Sequence, residues 1–152
     1  MACFEECVSV ASTAEAAFEF LLRPANAVLI SPPDVTMKII DAPERFELGS
    51  RFEFHLGGFG PVQHVIYEIT HLSSPNQFTE TQRKGPLSEW VHEHIFMPDD
   101  SGGVLITDRI TFEPPDGMLG FLLTEERILD SLKTGFGHRH QKIKELLEQP
   151  NG

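Results

Sequence analysis

Apolar and polar residues alternate with a period of two along residues 2–10, and again in runs near 35–41, 50–56, 61–72, 77–84, 88–97 and 103–113. Such alternation is the mark of strands with one buried face. Between the first run and the second the period lengthens. Ser12-Thr13-Ala14-Glu15 reads as a capping box with Ser12 at the N-cap, and Ala16, Ala17, Phe18, Phe20, Leu21 and Leu22 supply the short helix that follows. Pro24 suits the first turn of a second short helix running to about Ile30, and Ser31-Pro32-Pro33-Asp34 ends it. The breaks between later strands carry turn chemistry: Gly57-Gly58-Phe59-Gly60-Pro61, Ser73-Ser74-Pro75-Asn76, Gly85-Pro86 and Asp99-Asp100-Ser101-Gly102-Gly103. Connections this short join antiparallel neighbours, so a meander is expected.

From Gly117 the period is helical once more, with Leu122, Leu129, Leu132, Phe136, Ile143 and Leu147 on one stripe. A helix over this whole stretch would span roughly 45 Å, longer than any of the strands. Gly135 and Gly137 interrupt it at a cost of about 1 kcal/mol each relative to Ala. Close packing against the sheet, a mild bend or a hinge are the readings of that pair. One domain over residues 1–148 is expected, with 149–152 as a frayed tail.

Composition narrows the class. The chain has 152 residues, 40% of them hydrophobic, with 12 Phe, enough for one core. No apolar run reaches the length of a membrane span and Met1 to Val10 lacks the features of a signal peptide, so neither export nor membrane insertion is expected. The only cysteines, Cys3 and Cys7, would lie roughly 13 Å apart along one strand face, too far to bridge. A reducing cytoplasm fits that absence of disulfides, and burial is the usual state of a free strand cysteine. A formal charge of -11 argues against nucleic acid or an anionic membrane as partner.

The order strand, two short helices, six strands, long helix resembles the helix-grip fold of the START/SRPBCC superfamily, which includes the birch-pollen allergen, lipid-transfer domains and polyketide cyclases. The resemblance implies an α+β domain: a curved seven-stranded antiparallel sheet wrapped around a long C-terminal helix. Local sequence is similar to a bacterial subgroup often labelled "cell division inhibitor", in Gly85 to His94, Thr107-Asp108-Arg109, Pro114-Pro115-Asp116-Gly117 and Arg139-His140. In this superfamily functions range from carriers and hormone receptors to cyclases, and fold does not choose among them. The two short helices and the Gly57 to Pro61 hairpin would form the pocket mouth, with Phe59 as an exposed lip.

On the strand around residue 90, alternation gathers Trp90, His92, His94 and Phe96 on one face. Being the aromatic set, they are assigned to the concave side, where two histidines would be polar groups in an apolar cavity. The same spacing invites a metal reading with a third ligand. The cupin pattern fails, because Pro98 and Asp99 follow in a turn; no metal and no cofactor are expected. Asp108, between Ile106 and Ile110 on its own face, needs a partner if buried. A histidine across the hairpin is the better candidate, since Arg109 points the other way. Register-fixing ion pair, ligand-orienting or acid/base pair, and solvated carboxylate are all readings of Asp108. Further wall candidates are Phe52, Phe54, Leu56, Phe112, Leu129, Leu132 and Phe136.

No nucleophile elbow, phosphate-binding loop or Cys-x-x-Cys occurs. The leading expectation is therefore non-catalytic binding of a small apolar or aromatic molecule, lipid or polyketide-like, between sheet and helix. One alternative is a cyclase or dehydratase using His92 or His94 with Asp108. The other is a protein-interaction module of the chaperone-activator type, for which a protein partner would be needed.

Overall fold

The computed structural model describes residues 1–58 and 60–149. Phe59 and Pro150 to Gly152, to which a pocket lip and the end of a frayed tail were assigned, lie outside the described residues. The chain runs β1 (Ala2–Val10), α1 (Ala14–Leu21), α2 (Pro24–Leu29), β2 (Thr36–Asp41), β3 (Arg51–Gly57), β4 (Gln63–Ser73), β5 (Gln77–Lys84), β6 (Glu89–Pro98), β7 (Val104–Glu113), α3 (Leu119–Leu122) and α4 (Glu125–Leu147). The strands form one antiparallel sheet in the order β1-β7-β6-β5-β4-β3-β2. Short hairpins account for most of that order. The first strand is the exception, crossing to pair with the last, Phe4 opposite Ile110 and Val8 opposite Ile106.

Period-two burial is clearest in β7, where Val104, Ile106, Asp108, Ile110 and Phe112 are all buried and their neighbours are not. Their face meets α1 and α4. Phe18 of α1 packs edge-on to Phe78 and Phe96, with ring centres 5.9 and 5.4 Å away. At the other end Phe136 of α4 meets Phe4 of β1 at 5.5 Å. The C-terminal end of α4 is tethered too: Ala11 donates its backbone N–H to Glu148 at 2.7 Å, and Lys144 Nζ reaches the Ser9 carbonyl at 3.3 Å.

Several local expectations are corrected. The N-cap of α1 is Thr13, whose hydroxyl accepts from the Ala16 N–H; Ser12, one residue earlier, is not the cap. The long helix begins at Glu125 rather than near Gly117. Gly117 takes the left-handed φ of +67° that a turn needs. A single turn, α3, follows it, and Thr124 then caps α4 through the Arg127 N–H. Its 23 residues span about 34 Å, no longer than the 11 residues of β4. Neither glycine is there for close packing: a Cβ on Gly137 would meet nothing within 4 Å, and on Gly135 only Pro32 Cγ at 3.7 Å. Cys3 and Cys7 are both exposed, because Ala2, Phe4 and Val10 take the inner face of β1 and leave the odd positions outside. Among the described residues, no helix is long and apolar enough to cross a membrane.

Candidate functional site

Three neighbouring strands and the long helix each send a titratable side chain to one buried point. Glu80 comes from β5, His92 and His94 from β6, Asp108 from β7 and His140 from α4. Register explains the meeting: Glu80 is paired with His92, and His94 with Asp108, so the four strand residues share a face on adjacent strands. His140 joins them because it lies four residues after Phe136, on the inward stripe of α4. Exposure ranges only from 0% for Asp108 to 8% for Glu80.

Asp108 is the hub. Its Oδ1 lies 2.7 Å from His92 Nε2 and its Oδ2 lies 2.6 Å from His140 Nε2. An ionised carboxylate only accepts, so both imidazoles donate from Nε2. Burial by itself would raise the Asp108 pKa, but the bonds from His140 and His92 outweigh it and hold the carboxyl well below its ordinary range. Glu80 is likewise held low: burial pushes it up, and His94, His92 and the Arg139 guanidinium together push it further down.

His94 is the odd member. It is sandwiched between Phe78, with centroids 4.1 Å apart, and His92, at 3.7 Å. Its Nδ1 lies 3.5 Å from Asp108 Oδ1 and its Nε2 3.5 Å from Glu80 Oε2, and neither nitrogen makes a hydrogen bond. Burial, then the proximity of His92, pushes its pKa down to about 4, against the pull of Glu80 and Asp108, so the ring is neutral at pH 7.

Beside this cluster, between α4 and the sheet, lies a cavity of about 220 Å³. Of the wall residues expected from sequence, Trp90, His92, Leu132, Phe136 and Leu56 line it. The others lie elsewhere. Phe52, Phe54 and Phe96 are in the core beneath α1, and Phe112 packs with Phe4, Ile110 and Leu129 in a second apolar cluster. His94 and Asp108 belong to the polar cluster, reached from the cavity through His92. Core and cavity wall are one layer in the sequence pattern, and side-chain packing alone separates them.

Sequence reasoning missed Glu80, Tyr67, Gln82 and the roles of Arg139 and His140. Glu80 had a readable signal, since it shares the inner face of β5 with Phe78 and Gln82. Arg139 lines the cavity with its guanidinium 5.3 Å from the Phe136 ring centre. It makes no ion pair among the described residues, and its Nε is buried without a hydrogen-bond partner. Trp90 Nε1 is in the same condition. Tyr67, another wall residue, has its phenol pushed well above the ordinary range by burial and by the Glu80 charge.

Residues 13–147 match the family model described as Domain of unknown function (DUF8410). No curated protein sequence matches the chain. Among solved structures, a protein from Chromobacterium violaceum superimposes with a TM-score of 0.75 at 13% identity, covering 98% of each chain. A START superfamily protein from Mycobacterium smegmatis gives 0.71 at 12% identity over 97% of each chain. Ginseng major latex-like protein 151 from Panax ginseng gives 0.68 at 16% identity over 98% of each. At these identities the likeness is one of fold, and the fold is of the START/SRPBCC type with its helix-grip order of elements.

Proposed function

We propose that this chain, which belongs to the family described as Domain of unknown function (DUF8410), binds a small apolar molecule bearing a hydrogen-bond acceptor or carboxylate in the cavity under α4. The observation that carries this reading is the pair of buried donors without partners, Trp90 Nε1 and Arg139 Nε, in a wall otherwise built largely from Met37, Leu56, Leu87, Leu132 and Phe136. Buried donors left unpaired cost roughly 1–3 kcal/mol each, and more where the group is charged. Ligand acceptors facing these donors would recover that loss, while the apolar wall takes the rest of the molecule. An apolar cavity of ~150 Å³ accepts benzene. The size here suits one or two fused rings or a short branched chain.

The reading is non-catalytic. Among the described residues His92 is the only imidazole in the cavity wall, and both its nitrogens face carboxylates, Nε2 toward Asp108 and Nδ1 toward Glu80 at 3.7 Å. A general base needs a lone pair aimed at the substrate. That orientation disfavours the cyclase alternative.

Trp90 is the single tryptophan, so its fluorescence reports on the cavity directly. Titration with 1-naphthoate should give a saturable change, with 1-naphthamide about tenfold weaker because it lacks the charge that pairs with Arg139. Arg139→Met should abolish the preference for the acid. No saturable response and no thermal stabilisation by either compound would overturn the proposal.

A further inference from the structure

Glu80, His92 and His94 pose a problem that the apolar cavity does not answer. Glu80 Oε2 lies 3.7 Å from His92 Nδ1 and 3.5 Å from His94 Nε2, and these three donor atoms all fall within 4.8 Å of one another. The Glu80 side chain is only 11% exposed and faces both imidazoles. His92 gives its Nε2 to Asp108, which leaves Nδ1 as the nitrogen turned toward Glu80. His94, 1% exposed, has no partner on either nitrogen. Three potential ligand atoms thus stand together at a buried point with no short bond between them.

We propose that Glu80 Oε2, His92 Nδ1 and His94 Nε2 form a binding site for a divalent transition-metal ion of the zinc type. Three donors around a tetrahedral ion, each about 2.0–2.2 Å from it, stand roughly 3.3–3.6 Å apart, close to the spacings of 3.5 and 3.7 Å from Glu80, while the two imidazole nitrogens, within 4.8 Å of each other, must draw together. The rings of His92 and His94 are stacked, their planes 26° apart, so joint ligation requires the His94 ring to turn about its Cβ–Cγ bond while His92 stays on Asp108. Two imidazoles and one carboxylate select zinc, cobalt, nickel or copper over magnesium or calcium, which prefer oxygen. Three protein ligands leave a fourth position for water or another small ligand.

The surroundings fit a ligand set. The bond from His92 to Asp108 is the carboxylate–histidine support that fixes the tautomer and orientation of a metal-ligating imidazole, and Asp108 is itself held by His140 from α4. Phe78 backs the His94 ring from the other side. An ion here would link β5 and β6 directly, and β7 and α4 through Asp108.

The test is a cobalt(II) titration of the chelator-treated full chain, read by visible ligand-field absorption and by the paramagnetic shifts of imidazole protons. One cobalt per chain is expected, displaced by zinc, with the His92 and His94 ring signals shifted. Glu80→Gln should abolish binding, and Asp108→Asn should weaken it by about 10–100-fold. A surface group, His64 with Glu53 and nearby His55, is the competing location; His64→Ala should leave binding unchanged. The wild-type shifts locate the ion even if a variant fails to fold. Absence of bound cobalt, or binding lost in His64→Ala and retained in Glu80→Gln, would overturn the proposal.

Discussion

His140 Nε2 lies 2.6 Å from Asp108 Oδ2, a buried bond that fastens α4 to β7 across 32 positions of sequence. The same carboxylate holds His92 at 2.7 Å, so one side chain ties the helix to two strands. Asp108→Ala would leave two buried imidazole N–H groups without an acceptor. A loss of about 3–5 kcal/mol is expected. At this chain length that lowers the melting temperature by about 10 °C or more, measured by calorimetry.

The cluster also sets an acid limit. In the folded chain the His94 pKa is pushed down to about 4 from 6.5, so between those values the unfolded chain takes up a proton that the folded one refuses. Stability is then intact above pH 6.5 and falls as pH drops toward 4, by on the order of 3 kcal/mol. Asp108, also depressed, contributes stability above its unfolded value near 3.8 and loses it only at still lower pH. Melting curves in chelator at pH 7, 5.5 and 4.5 should show the first stage, and His94→Gln should flatten it. A constant melting temperature over that range would contradict the assignment of His94 as a buried neutral ring.

Gly137 sits in the middle of α4 with no atom waiting for a Cβ. Gly137→Ala should stabilise the chain by about 1 kcal/mol, a rise of roughly 2–4 °C. If the change is neutral or harmful, the glycine serves a bend that the helix requires.

Gly135 is different, since it lines the cavity and faces Pro32. Gly135→Leu would project a side chain into the space reserved for a ligand. Thermal stability should hold or rise slightly, while the Trp90 response to 1-naphthoate disappears. Unaltered binding in this variant would place the ligand elsewhere.

Much of the cluster could be anticipated from residues. Asp108 between two isoleucines announced a buried carboxylate, and the shared face of His92 and His94 made a histidine its natural partner. Glu80, and the part that His140 plays, escaped notice for a common reason. Each lies on a face that alternation or helical period marks as inner, yet nothing local says how deep that face is buried or which residue stands opposite. Phe52, Phe54, Phe96 and Phe112 show the converse: correctly inner, they fill core rather than wall a cavity.

The sequence by itself determined the order of the strands and principal helices, the antiparallel meander and the inner faces of β6 and β7, because side-chain period and turn chemistry are properties of neighbouring residues. Only the tertiary structure decided which inner residues touch. The axial rotation of α4 brings His140 to Asp108 and Arg139 to the cavity, strand register brings Glu80 to His92, and the packing of large side chains determines where space is left. Those are relations between distant segments, fixed when the whole apolar surface is buried together.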